Sequence, residues 1–198
     1  DALAVALATW PALAQVAPGQ LPTGGTVVGG DATIGIVDDT MTINQASARA
    51  LLKWGTFDIG KDATVAFNQV AGGIALNQIM DVKPSEVMGT LTATGTIFLI
   101  NPNGIIFGNE ATVNVGSLVA SSLSPDDEDL FMEEDADGYV HDTFTWNVGG
   151  AGEVINHGSI QSSGGNVVLL GGSARNAAAG SIDVGDGIAA LLAGGAAQ

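Results

Sequence analysis

The chain has 198 residues, 46% of them apolar, with 29 glycines and no cysteine. Five Lys and Arg against 21 Asp and Glu give a formal net charge of −16, a surface that repels nucleic acid and anionic lipid and suits cations or a basic partner. Disulfides and thiolate metal sites are excluded, and no apolar run reaches the ~18 residues that span a bilayer.

In chain order, residues 1–15, "DALAVALATWPALAQ", resemble the back half of a secretory signal. An apolar run meets Pro11, and Ala12-Leu13-Ala14 forms an A-x-A site before Gln15. Residues 1–14 are therefore read as a signal remnant or an apolar N-terminal segment, with one domain over 15–198. Residues 44–54, "NQASARALLKW", carry good helix formers and suggest a short helix. Elsewhere short runs of Val, Ile, Thr and Phe alternate with Gly, Asn and Asp, as in "ATVAF", "GTLTATGTIFLI" and "GIIFG". These read as short strands with turn punctuation. Trp54 and Phe57 read as core of an N-terminal cap.

An acidic stretch, 124–142, interrupts this texture and expects a solvated loop or hairpin outside the main fold. It holds Asp126, Asp127, Glu128, Asp129, Glu133, Glu134, Asp135, Asp137 and Asp142, with Phe131, Tyr139, Phe144 and Trp146 to clamp it down. Calcium needs several converging oxygens; "EEDADG" has the density but lacks the closing Glu of a twelve-residue loop, so no metal is assigned.

The end of the chain carries a repeat. "GSIQSSGGNVVLLGG" (158–172) aligns without a gap on "GSIDVGDGIAALLAG" (180–194), a shift of 22 residues. A strand, a glycine turn and another strand per unit is the pattern of a β-solenoid. At that period the chain would wind roughly eight coils, each ~4.8 Å above the last. "NPNG" (101–104) then reads as a corner. Pro102 fixes φ at the first turn position, Asn101 and Asn103 bond their own backbone, and Gly104 accepts a positive φ; a type I turn follows.

Several segments now carry a family resemblance. They are "LPTGGTVVGGDATI" (21–34), "TMTINQASARALLKWGTFDIGKDATVAFNQ" (40–69), "INHGSIQSSGGNVVLLGG" (155–172) and, above all, 75–123, from Pro84-Ser85 through Gly89 to "NPNGIIFG" and "LVASSL". Together they resemble the secretion domain of filamentous-haemagglutinin-like exoproteins, the cargo of two-partner secretion. The resemblance implies an all-β fold: a right-handed parallel β-helix with an N-terminal cap and extra-helical strands. It implies recognition, before folding, by the periplasmic POTRA domains of a partner outer-membrane β-barrel transporter, then folding outside a Gram-negative cell. It places the family's asparagine-proline-asparagine motif on Asn101, Pro102, Asn103 and Gly104, and a second asparagine motif on Asn77. Gln78 stands where the family usually carries arginine, which weakens any charge-based contact there.

Other readings are set against this one. Polysaccharide-active β-helices need clustered carboxylates with a basic group. Here the only basic residues are Arg49, Lys53, Lys61, Lys83 and Arg175, the last alone in its coil, so no catalytic residue and no cofactor is assigned. His141 and His157 stand in no metal spacing and read as surface or turn residues. The glycine pairs at 72–73, 149–150 and 171–172 lack a P-loop lysine or a dinucleotide fingerprint and read as turns. The last coil, "IAALLAGGAAQ", has no polar cap; it suggests either further coils or end-to-end stacking of copies into a filament. The complete exoprotein is expected to be an adhesin at the cell surface.

Overall fold

The computed structural model describes residues 16–125, 146–147 and 152–194. Every described element is a strand or bridge, and the strands wind into a parallel β-helix. Two antiparallel strands start it: β1 (Thr26–Gly29) and β2 (Ala32–Val37). The first coil follows with β3 (Thr40–Gln45) and β4 (Arg49–Trp54), the second with β5 (Thr64–Gln69) and β6 (Ile74–Ile79). The third coil has three sides: β7 (Ser85–Val87), β8 (Thr90–Ala93) and β9 (Thr96–Ile100). The fourth repeats them as β10 (Gly104–Phe107), β11 (Thr112–Val115) and β12 (Ser117–Ser121). A separate antiparallel pair, β13 (Ser124–Pro125) with β14 (Trp146–Asn147), stands outside the helix. Two last coils run β15 (Glu153–Asn156), β16 (Ser159–Ser162), β17 (Val167–Gly171), then β18 (Ser173–Asn176), β19 (Ser181–Asp183), β20 (Ala189–Ala193).

Stacking these coils makes three walls. Wall A runs β1-β4-β6-β9-β12-β17-β20, wall B runs β2-β3-β5-β8-β11-β16-β19, and wall C runs β7-β10-β15-β18. All pairings are parallel except β1 with β4 and β2 with β3, so the antiparallel strands close one end. Wall A shows six coils rather than roughly eight. The reason is that residues 16–37 go into the cap, and β12 and β17 pair directly although Leu118 and Val167 are far apart in sequence. The repeat seen at the chain's end is kept in register: Ser159 pairs with Ser181, and Leu169 with Leu191.

The core follows from the strand alternation. One side of every strand points inward, and parallel register stacks like on like. Met41, Val65, Leu91, Val113 and Ile160 form one buried column of wall B. Ala50, Ala75, Ile97, Leu118 and Val167 form another in wall A. Each large member contributes about 1.5–3 kcal/mol by leaving water. Wall A is buried on its outer side too, where Leu51, Leu76 and Ile100 cluster with Ile74 and Phe98. This explains the expected helix over 44–54. The residues of "RALLKW" favour a helix in isolation, but burial on both faces of a parallel sheet also calls for a near-continuous apolar run, and tertiary packing decides.

Trp54 and Phe57 lie in the core as expected, ring centroids 5.3 Å apart and edge to face. Gly25, just before β1, lies against the Trp54 ring so closely that a Cβ would stand 2.3 Å from it. The β13–β14 pair is the extra-helical element, and it brackets the acidic stretch. The calcium reading, the aromatic clamp, His141 and Gly149-Gly150 fall outside the described residues or their described side chains.

Candidate functional site

The NPNG corner joins β9 of wall A to β10 of wall C. The Gly104 N–H donates to the Asn101 carbonyl at 2.9 Å, closing the turn over Pro102 and Asn103. Within this corner the positive φ falls on Gly104 (111°), not on either asparagine, as a type I turn requires. A Cβ there would stand 2.5 Å from the Glu153 carbonyl oxygen of the next coil.

Asn101 is fully buried and bonded in three directions. Its Oδ1 accepts from the Asn103 N–H at 2.9 Å, the local bond the sequence suggests. Its Nδ2 donates to the Lys83 carbonyl and to Ser85 Oγ, both at 3.0 Å, one rung below it at the start of the third coil. Its backbone N–H donates to the Ser121 carbonyl of the following coil at 2.9 Å. Asn103 departs from expectation. Its Nδ2 reaches across to the Asp81 carbonyl at 2.7 Å instead of closing its own turn. Residues 80–84 are thereby pinned, although Met80 and Val82 are 69% and 85% exposed.

Asn77 occupies a place that the apolar pattern gives no reason to expect. It stands inside the helix, in the column Leu52, Asn77, Leu99, Ala120, Leu169, with none of its surface exposed. Its Oδ1 accepts from Trp54 Nε1 at 2.9 Å in the coil before. Its Nδ2 donates to the Phe98 carbonyl at 3.1 Å in the coil after, and to Ala75 at 3.4 Å. An unpaired amide in this core would cost several kcal/mol, and here the Trp54 indole and the Phe98 and Ala75 carbonyls satisfy it. Asn77 pairs with Leu99, two residues before Asn101, so the two asparagines belong to one strand pair. Gln78 faces the other way, on the nearly buried outer side of wall A.

Sequence reasoning missed the amide ladder at the corner between walls B and A. Gln45 Nε2 donates to the Ser47 and Ile74 carbonyls, and Gln69 Nε2 to Gln45 Oε1 at 3.1 Å. Gln69 Oε1 accepts from the Gly95 N–H at 2.9 Å. The shared "NQ" at 44–45 and 68–69 is the signal that could have revealed it. A matching step at the far end has Asn156 Nδ2 donating to Asn176 Oδ1 at 2.7 Å.

Charge enters weakly. Burial pushes the Asp58 carboxyl above its usual range, with Asp81 adding to this, while the Glu86 N–H bond and Lys83 oppose it. Burial also raises Glu86, with a further push from Asp58. Arg175 pairs with Glu153 at 2.6 Å across neighbouring coils. No cluster of three His, Cys, Asp or Glu among the described residues is arranged to hold a metal ion. His157 sits at a corner, its N–H on the Phe107 carbonyl at 2.8 Å.

Among the described residues the arrangement fastens coils to one another. The chain belongs to the TPS secretion domain family, whose model matches residues 15–197. It is similar to the solved HMW1 secretion domain of Haemophilus influenzae, with 30% identity and a TM-score of 0.72 over 87% of this chain and 44% of that one. It is also similar to two heme/hemopexin-binding proteins of Haemophilus influenzae. One, from strain Rd, is 34% identical over 60% of this chain; the other is 40% identical over 42% of it. The matches span only 13% and 9% of those proteins. The domain is thus the secretion domain of a two-partner-secretion exoprotein. Such domains work with a partner transporter, are exported by Gram-negative bacteria and are not enzymes.

Proposed function

We propose that this domain is recognised, still unfolded, by the POTRA domains of its partner outer-membrane β-barrel transporter, and that its first coils then act outside the cell as the template on which later coils fold. The observation that carries this reading is the pair Asn77 and Asn101, each hydrogen-bonded to the rung below it and the rung above it. A solenoid grows by nearest-neighbour addition, so an early, firmly fastened set of coils makes movement through the barrel one-way. Residues 1–14 act before this step as a targeting segment, and the complete exoprotein works as an adhesin at the cell surface.

The test uses cells carrying the partner transporter. Pro102→Ala and Asn103→Ala remove turn stiffness and one inter-coil bond without emptying the core. Secretion is expected to fall several-fold while the refolded domain melts within a few degrees of the parent. Secretion equal to the parent would remove the reading.

A filament of stacked copies is the second reading; the half-exposed Leu191 and Leu192 of β20 would seat a neighbouring copy or a further coil of the same chain alike. Against it, the antiparallel strands β1 and β2 offer no parallel edge at the other end. Size-exclusion chromatography separates the two, since a filament elutes in the void volume.

A further inference from the structure

We propose that the outer face of wall B binds an extended, neutral, β-linked polysaccharide laid along the helix axis. The face begins with a column in which every coil supplies a hydroxyl: Thr40, Thr64, Thr90, Thr112, Ser159 and Ser181 are register partners in turn. Their neighbours Met41, Val65, Leu91, Val113 and Ile160 point into the core, so alternation turns the hydroxyls outward. A second column adds Thr42, Thr92, Asn114 and Gln161, with Ala66 as its gap. None of these hydroxyl and amide side chains hydrogen-bonds a described residue, whereas the amides at the coil corners are engaged.

The face is also uncharged. Between β3 and β16 both columns lack an ionisable group, in a chain with 21 Asp and Glu, and Asp183 appears only on the last rung. A groove of about 630 Å³ runs along the edge of this face, where Asn114, Gln161 and Asp183 of the second column meet Thr94, Ser162 and Ser163 at the corner toward wall A. Polyanions are repelled by the net charge of −16, and polycations find no carboxylate to grip along most of the face.

What fits is a neutral ligand rich in hydroxyls, each able to donate and accept. Six rungs present such groups about every 4.8 Å over about 24 Å. A sugar unit in an extended β-linked chain advances by about one rung, so a flat glycan ribbon can meet successive coils with the same contact. Each contact exchanges water for a sugar hydroxyl and gains little by itself. Affinity therefore grows with chain length, as successive contacts become intramolecular. It is insensitive to salt, because no charge is involved.

The refolded domain is run in native gels containing soluble β-1,4-glucan, β-1,3-glucan or α-glucan, with heparin as a polyanion control. Retardation is expected in at least one β-glucan gel, unchanged when salt is raised, and relieved by free hexasaccharide, which spans the six rungs, at far lower concentration than by free disaccharide. The exposed double substitution Asn114→Asp with Gln161→Glu is expected to weaken retardation at least five-fold without lowering the melting temperature. Glu110→Gln, off this face, leaves it unchanged. Migration unaffected by both β-glucans, retardation by heparin alone, or equal retardation of the double variant would each overturn the proposal. Secretion is not measured, so failure here leaves the transporter reading standing.

Discussion

The two ends of the helix are built differently. The last coils repeat each other at a fixed shift of 22 residues and stack leucine on leucine. The first coils are irregular. They are closed by antiparallel strands and carry a buried tryptophan, a glutamine ladder and an asparagine inside the core. A regular coil resembles every other and can slip by one repeat with little penalty. A coil whose Trp54 must meet Asn77, and whose Asn101 must meet Ser85, accepts one register only. On the proposed reading, the irregular end fixes where winding starts and the regular end extends it.

That contrast can be broken by substitution. The largest expected effect is at Trp54→Ala, which empties a fully buried site beneath the cap and should cost about 3–5 kcal/mol, measured by urea unfolding. Asn77→Leu comes next. It continues the apolar column but leaves the Trp54 N–H buried without an acceptor, at about 1–3 kcal/mol. Adding Trp54→Phe removes that orphan donor, so the double variant should lose less stability than the sum of the two single changes. If stability is recovered to that extent while secretion is not, the amide itself matters to export. Leu191→Ala, in the half-exposed last coil, should cost less than about 1 kcal/mol.

The smallest effect concerns charge. Asp58 and Glu86 both have carboxyls raised above their ordinary values in the fold, so between the ordinary and the raised values the folded chain holds more protons than the unfolded one. Their contribution is favourable below the ordinary carboxylate range and disappears as pH rises through the raised values. Glu86→Gln should therefore raise the melting temperature at pH 7 by about 1 °C, discounting for solvent screening, and leave it unchanged near pH 3.

These contrasts also explain what the sequence disclosed. The last coils were readable because their repeat is the structural period itself, and the NPNG corner because Pro and Gly fix backbone geometry locally. The strand over 49–54 was not, since its side chains favour a helix until two buried faces overrule them. The coil number was overestimated because a uniform period cannot reveal a cap or a stretch that leaves the helix. Asn77 was found only through family resemblance; nothing local in "IALNQI" says that its amide points inward at an indole. Ser85 and the Gln45–Gln69 ladder act through partners one coil away, which only stacking reveals.

Native-state hydrogen exchange on the refolded domain tests the central claim most directly. Amides of β4, β6 and β9 should open only with global unfolding, and those of β17 and β20 at progressively lower free energy, giving a gradient that falls from the capped end. Uniform protection across all six coils of wall A, or protection strongest in β20, would contradict the account.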